Sequence, residues 1–227
     1  MTENAPWLIL DSGSPRALVG IASSDGVIAQ TFMDGHRKHA ETLSHAMTEC
    51  MSAASVTLAQ ISGVAVGRGP GSFVGVRVGM ATAKGLAFAA GKPLLGLCPL
   101  FALANGADVP SGRGLAILDA RKGEVYFRLI EKNAEKGSVC LADGTLAPAQ
   151  LEHDYPQIDF IVGNGVDLFS DQFLAQTTVI RKPGPDTHGY RLSLPKHGDF
   201  EDELYSLAPH YWRAPDAKKP AASTLSP

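Results

Sequence analysis

A glycine-rich stretch at residues 63–91 limits the possible folds of this chain more than any other feature of its sequence. It starts with the apolar run GVAVG, turns through RGPGSF and continues as a long run of small and apolar residues. A short apolar run between glycines is typical of a strand that is covered on both faces. Ser72, in the turn, can cap a helix that follows it. We therefore predict a strand, a tight turn and a helix in direct succession.

This turn has the composition of a phosphate-binding loop but not its spacing. Neither G-x-G-x-x-G with a later acidic residue nor G-x-x-x-x-G-K-[ST] occurs in it. Its glycines permit positive φ or a close backbone approach, and Pro70 removes one backbone donor. A tight structural turn is therefore favoured, and a nucleotide-binding turn stays open as the alternative.

The composition narrows the classes of function. The 227 residues are 44% hydrophobic and carry a net charge of −3, so the chain as a whole has no basic footprint. This argues against a protein that grips RNA unaided, because Lys and Arg supply most of the non-specific affinity for phosphates. Three cysteines without a C-x-x-C pair favour free, buried thiols over disulfides or a zinc site. We see no basic signal-peptide region and no apolar run of the ~20 residues that a membrane span needs, and we expect a cytoplasmic protein.

The order of the predicted elements indicates two related lobes. Residues 7–97 follow the order strand, strand, strand, helix, strand, helix, strand, which matches a ribonuclease-H-like lobe. The run Ile-Leu-Asp at residues 9–11 recurs at residues 117–119, each time before a polar turn and a further strand. We predict an α/β protein with two ribonuclease-H-like lobes, the plan of the actin, hexokinase and Hsp70 (ASKHA) superfamily. The predicted bounds are 1–104 for an N-terminal lobe with the partner-binding helices, 114–213 for a C-terminal lobe and 214–227 for a flexible tail.

Three further segments have weaker patterns. A capping-box pattern predicts a short helix at residues 57–60, and residues 166–175 are predicted to form another helix. Residues 181–200 hold prolines, glycines and charges without a clear period, which predicts a loop.

Two segments resemble a known family. The run GRGPGSFVGVRVGMATAKGLA closely resembles the signature of the TsaB (YeaZ) family, and the run from Pro209 to Arg213, PHYWR, resembles its P-x-Y-L-R ending with Trp in place of Leu. The resemblance implies a non-catalytic partner subunit of the bacterial complex that makes threonylcarbamoyladenosine at position 37 of tRNA (t6A37). In that complex it would bind and support a TsaD-like catalytic subunit.

The same resemblance implies a set of partners. The chain would form a homodimer when alone and a heterodimer with TsaD, and a TsaE-like ATPase would join the complex. It would require no cofactor of its own, and ATP or ADP would bind at an interface of the complex. It would contact tRNA only through the complex and no membrane at all.

Two helical seams form the predicted partner interface. They comprise Ala40, Leu43, Met47 and Met51 in the first helix and Val76, Met80, Ala83 and Ala87 in the second. The second helix is apolar or small over most of its circumference, so we expect it to be buried on more than one side. The alternative is that both seams simply lie on the protein's own sheet. The glycine-rich loop before the second helix consists of Gly69, Pro70, Gly71, Ser72 and Phe73.

Asp11 and Asp119 are weak candidates for cofactor binding, because each ends an equivalent strand. In catalytic members of the superfamily, such carboxylates lie near the metal and the phosphates between the lobes. The alternative is that each side chain caps the turn that follows it. An active ATPase or kinase of the same superfamily is therefore the alternative function, although Pro15 in the first turn cannot donate to a phosphate.

No metal site and no catalytic residue are predicted. His36, His39 and His45 lie close together in sequence, but their spacing is not the i, i+4 spacing of ligands on one helix face. The chain lacks the H-x-x-x-H pair of TsaD-like enzymes and a G-x-S-x-G elbow. A metallopeptidase of the glycoprotease type is therefore the weakest of the three hypotheses.

Overall fold

A computed structural model describes residues 5–23, 25–34, 39–109, 111–133, 137–195 and 202–213. The strands are β1 (Trp7–Asp11), β2 (Arg16–Ala22), β3 (Val27–Asp34), β4 (Gly63–Gly67), β5 (Leu94–Leu97), β6 (Gly112–Arg121), β7 (Glu124–Asn133), β8 (Gly137–Leu146), β9 (Phe160–Gly163) and β10 (Thr178–Arg181). The helices are α1 (His39–Ala53), α2 (Phe73–Ala90), α3 (Pro99–Asn105), α4 (Pro148–Asp154), α5 (Asp171–Leu174) and α6 (Thr187–Arg191), with a 3-10 helix at Val166–Leu168.

The strands form two mixed sheets with the same topology. The first has the order β3-β2-β1-β4-β5, and the second, read from the other edge, has the order β8-β7-β6-β9-β10. In both, the first three strands in sequence pair antiparallel, and the remaining two extend the sheet in parallel. The prediction of an α/β fold with two related lobes is therefore confirmed, and β1 and β6 hold equivalent central places.

Apolar side chains cover both faces of each sheet. On the first sheet, α1 and α2 bury one face through a cluster that includes Leu43 and Met80. The other face packs against α3 and α6, where Ala102 and Tyr190 join the apolar side chains of the strands. Since α3 also gives Leu103 to the core of the second sheet, this helix lies between the two lobes.

Two lysines fix the carboxyl end of α3. Lys132 on β7 donates from Nζ to the carbonyl of Ala107 at 2.7 Å, and Lys182 donates to the carbonyl of Gly106 at the same distance. Cations near a helix carboxyl terminus satisfy carbonyls that have no partner within the helix. Burial lowers the pKa of Lys132, because the charged ammonium group loses part of its hydration in this position.

Three local predictions need correction. Residues 57–60 form a turn rather than a helix, although the Gln60 side chain accepts from the backbone N–H and the hydroxyl of Thr57 as in a capping box. Residues 166–175 form two short helices instead of one. The segment predicted as a loop at 181–200 contains α6, which is held by the Asp186 cap and the buried ring of Tyr190.

The predicted lobe bounds stay a prediction, with two qualifications from the described residues. Residues 202–207 lie in the predicted second lobe but pack against the first sheet, where the backbone N–H of Glu203 donates to the Leu94 carbonyl of β5. The predicted flexible tail, 214–227, falls outside the described residues.

One described helix, α2, is long and apolar enough to cross a membrane by length and composition alone. The sequence predicted no apolar run long enough for a membrane span, whereas α2 reaches 18 residues. It is weak support for a membrane span, because one side of α2 is buried on the first sheet, and core helices pass the same test.

Candidate functional site

The backbone of the glycine-rich loop contacts the turn that follows β1. The backbone N–H of Ser72 donates to the carbonyl of Gly13 at 2.7 Å, and the Ser72 hydroxyl accepts from Gly75, which confirms the predicted helix cap. A Cβ atom on Gly75 would lie 2.0 Å from the Ser12 carbonyl oxygen, and one on Gly71 would lie 2.6 Å from the Gly13 oxygen. These glycines therefore allow two backbones to touch, and the tight-turn interpretation accounts for them.

Asp11, at the end of β1, is sealed inside the first lobe. Its carboxylate is 1% exposed and accepts from the Gly13 N–H, the Ser14 hydroxyl and the Tyr190 hydroxyl, each at 2.8 Å. Burial, and next the Asp11 charge, raise the pKa of Tyr190 well above its usual value, so this phenol stays a donor. With three donors in place, the Asp11 carboxylate caps its turn and presents no open face to a ligand.

Asp119, two residues before the end of β6, makes the same local hydrogen bond as Asp11 but borders open space. Its Oδ1 accepts from the Arg121 N–H at 2.7 Å, as Asp11 accepts from Gly13, and its own N–H donates to the Asn164 side chain. Unlike Asp11, it is only partly buried and lines a cleft between the lobes. The two candidate carboxylates therefore make the same backbone hydrogen bond, but only the Asp119 carboxylate is accessible from the cleft.

The cleft has a volume of about 380 Å³ and receives residues from both lobes. The turn after β1 and the glycine-rich loop form one wall, and the β6–β7 turn forms the other. Its lining residues are Gly13, Pro15, Gly71, Ser72, Phe73, Leu118, Asp119, Ala120, Arg121, Tyr126, His210, Tyr211, Trp212 and Arg213. Of the predicted loop residues, Gly71, Ser72 and Phe73 border the cleft, while Gly69 approaches the backbone of His210 at its edge.

Residues 202–213, which we call the C-terminal clasp, join the two lobes across this cleft. The clasp begins on β5, where the Glu203 carboxylate accepts from Gly96, and its His210 N–H donates to the Arg68 carbonyl at 2.7 Å. The Tyr211 ring then meets Phe73 with centroids 4.8 Å apart.

The end of the clasp lies on the second lobe. The Trp212 ring packs edge-on against Tyr126 at 6.2 Å. Arg213 pairs with Glu124 at 3.2 Å and donates to the carbonyl of Ala120. The PHYWR motif therefore serves as a contact between lobes, a role that the sequence did not reveal.

The structure requires a correction to the predicted partner surface on α2. Val76, Met80, Ala83 and Ala87 all face the protein's own sheet, and Met80 is 4% exposed. Side chains in this position present no surface to a partner, so the alternative that the seam lies on its own sheet holds for this helix. A charge at Met80 would consequently damage the fold before it affected any partner.

The opposite face of α2 carries a second apolar series with the same spacing. This outer stripe consists of Val74, Val78, Ala81, Gly85 and Phe88, of which Val78 is half-buried at the edge of the first core cluster. Val74 is 68% exposed and Phe88 is 69% exposed, and Ala81 and Gly85 between them are also exposed. Both series step by four and three, so periodicity alone could not distinguish the face toward the sheet from the face toward solvent.

The predicted residues of α1 divide in a similar way. Leu43 is buried in the core, whereas Met47 and Met51 are half-buried at the edge of the same cluster. Ala40 belongs to α1, but its side chain lies outside the described residues.

No group of three potential ligands for a metal ion occurs among the residues that the structure describes. Of the three histidines considered above, His45 is exposed on α1, while His36 and the His39 side chain lie outside the described residues. Cys50, Cys98 and Cys140 are free thiols as predicted, but only Cys50 is buried, and Cys98 and Cys140 are half-buried.

Two lobes of equivalent topology, facing each other across a cleft, define a protein of the actin, hexokinase and Hsp70 superfamily. The family model described as TsaD, tRNA N6-adenosine threonylcarbamoyltransferase, matches residues 26–176. Because this match covers well over half of the chain, the chain belongs to that family, and its named relatives group it with the TsaB (YeaZ) proteins.

Individual relatives match over different lengths. The tRNA threonylcarbamoyladenosine biosynthesis protein TsaB of Escherichia coli (strain K12) is 36% identical over 122 residues, which are 53% of this chain and 52% of that protein. The match thus spans about half of this curated relative. An uncharacterized protein of Mycobacterium tuberculosis (strain ATCC 25618 / H37Rv) is 29% identical over 96% of both chains. The structure of YeaZ from Pseudomonas aeruginosa is 25% identical, with a TM-score of 0.69 over 84% of this chain and 90% of that chain.

Proposed function

We propose that this chain is a non-catalytic partner subunit in the synthesis of threonylcarbamoyladenosine on tRNA, and that it binds and supports a TsaD-like catalytic subunit. The names of its TsaB relatives and the TsaD family model support the pathway. The division of labour within that pathway is inferred from the residues of this chain.

The observation that carries the proposal is the outer stripe of α2. Two large apolar side chains, Val74 and Phe88, stand mostly exposed at its two ends. Between them, Ala81 and Gly85 leave the helix surface low enough for a partner helix to approach closely. An exposed apolar face of this kind marks a protein interaction site. A TsaD-like subunit, or a second copy of this chain when alone, would cover it.

The non-catalytic part of the proposal rests on the sealed turn after β1. Asp11 is buried and accepts from three donors, and the N–H groups of Gly13 and Ser72 are already used inside the protein. Phosphates and their metal ion need such groups to be open. As the resemblance to the TsaB (YeaZ) family implies, ATP or ADP would bind at an interface of the complex, together with a TsaE-like ATPase, and tRNA would be bound by the assembly.

A matched pair of variants tests the partner surface. We expect Phe88→Glu to weaken binding to a co-expressed TsaD-like subunit by roughly tenfold or more, because association would bury an unpaired charge. Val139→Glu, at a residue 57% exposed on β8, is the control and should bind normally. Calorimetric titration gives the affinities, and melting temperatures show that both variants fold. Equal affinity of Phe88→Glu and the control would contradict the proposed surface.

Titration of the isolated chain with Mg-ATP tests the absence of catalysis. We expect no ATP turnover, because the phosphate-facing groups of the first lobe are occupied. Micromolar binding accompanied by steady turnover would instead support the alternative of an active superfamily ATPase or kinase.

A further inference from the structure

Charge is distributed unevenly along this chain, and the segment that contains α2 carries one sign only. Residues 50–107 contain four cations, Arg68, Arg77, Lys84 and Lys92, and no aspartate or glutamate. The chain as a whole has a net charge of −3, so its carboxylates are concentrated in the other segments. The helix α2 therefore presents positive charge without any carboxylate of its own to balance it.

Two of these four cations are engaged within the protein, and two are not. Arg68 pairs with a carboxylate of the clasp, and Lys92 donates to a backbone carbonyl. Among the residues that the structure describes, Arg77 and Lys84 form no salt bridge, and the Arg77 guanidinium lies 5.2 Å from the centre of the Phe73 ring. The charges of Arg77 and Lys84 are therefore left for a carboxylate outside this chain.

Arg77 and Lys84 lie along one margin of the outer stripe. They are seven residues apart, which is two helical turns, so their side chains leave α2 in nearly the same direction. Each lies three residues after one member of the stripe and four before the next, in the order Val74, Arg77, Ala81, Lys84, Phe88. An apolar seam with charges along its margin is the pattern of paired helices, in which the marginal charges set the choice of partner.

We propose that the surface that covers the outer stripe belongs to a TsaD-like subunit and carries carboxylates opposite Arg77 and Lys84. This inference deepens the proposed function and rests on it. Opposite charges across an interface speed association and fix its register, and like charges suppress wrong partners. A contact between the α2 helices of two copies would bring together cations from both helices and no carboxylate from either. The charges therefore favour the TsaD-like subunit over a second copy when both are present.

Salt dependence tests the charge of the covering surface. In calorimetric titrations with the TsaD-like subunit of the same cell, we expect the affinity of the wild type to fall about tenfold between about 50 and about 300 mM salt. The double variant Arg77→Gln, Lys84→Gln should bind about tenfold more weakly at low salt and respond little to added salt. Arg113→Gln, Arg181→Gln removes the same charge from two exposed positions on the second sheet and should match the wild type. Melting temperatures show that both double variants fold.

A zero-length cross-link identifies the partner of Lys84 directly. A carbodiimide joins a lysine amine to a carboxylate in contact with it as an amide, without adding a spacer. Mass spectrometry of the treated complex should show Lys84 joined to an aspartate or glutamate of the TsaD-like subunit. The variant Lys84→Gln should lack this cross-linked peptide.

The outcomes separate this inference from the proposed function. Equal affinity and equal salt dependence of the two double variants would overturn the acidic surface. A cross-link from Lys84 to a second copy, formed while the TsaD-like subunit is present, would also overturn it. If Phe88→Glu nevertheless weakens binding, the apolar stripe and the proposed function stand. Failure of the wild type to bind the TsaD-like subunit at all would overturn both.

Discussion

The turns at Asp11 and Asp119 share the Ile-Leu-Asp run and one backbone hydrogen bond, yet they differ in the residues that follow and in access. In both, an aspartate after Ile-Leu accepts from the N–H two residues later. Asp11 is closed in by Tyr190, and the glycines of α2 lie against Ser12 beside it, whereas Asp119 opens onto the cleft. A repeated motif therefore predicts the local backbone, while access depends on residues that come from elsewhere in the chain.

The largest expected effect comes from disrupting the contact between α2 and the turn that follows β1. Gly75→Ala places a Cβ atom 2.0 Å from the Ser12 carbonyl oxygen, and we expect it to lower the free energy of unfolding by about 4 kcal/mol or more. Gly85→Ala is the control on the same helix, because nothing lies near its added methyl group. It should raise the stability by about 0.5–1 kcal/mol, since alanine is the better helix former. Urea unfolding of both variants measures the difference, and similar values would mean that α2 does not rest on the turn.

A second pair compares the two aspartates directly. Asp11→Ala leaves three buried donors without an acceptor, and we expect a loss of about 3 kcal/mol in unfolding free energy. Asp119→Ala loses a half-exposed cap and should cost about 1 kcal/mol or less. Equal losses in urea unfolding would show that the two turns are alike in energy as well as in their backbone hydrogen bond. Because Asp11→Ala damages the fold, loss of activity in that variant would not identify a catalytic carboxylate.

A smaller effect should appear at alkaline pH. We expect Tyr190→Phe to lose about 1.5–2 kcal/mol at neutral pH, the value of a hydrogen bond to a charged group. Because the pKa of Tyr190 is raised in the folded protein, only the unfolded chain ionises this phenol just above its usual value of 10.0. The advantage of the wild type is thus complete below pH 10 and shrinks by about 1.4 kcal/mol per pH unit above it. A constant difference between the two proteins across that range would exclude a buried, neutral Tyr190.

Most of the fold could be predicted because local patterns determine it. The glycine turn, the hydrophobic periods and the repeated Ile-Leu-Asp indicated the strands, the long helices and the two lobes. The partner residues on α2 were predicted on the buried face because Val74 and Val76 begin two apolar series with identical spacing, and only the packing on the sheet shows which one is buried. Tyr190 was missed because it lies in α6, inside a segment that has no clear period.

The C-terminal clasp also has a consequence for the order in which this protein folds during synthesis. Domains generally fold as they emerge, with the N-terminal part first. Here the open edge of β5 receives the carboxylates of Asp202 and Glu203, which accept from Leu94 and Gly96, and these acidic residues are made only after every strand of both sheets. Until the ribosome has added the clasp, the nascent first lobe carries an unpaired strand edge, the feature through which sheets join other chains.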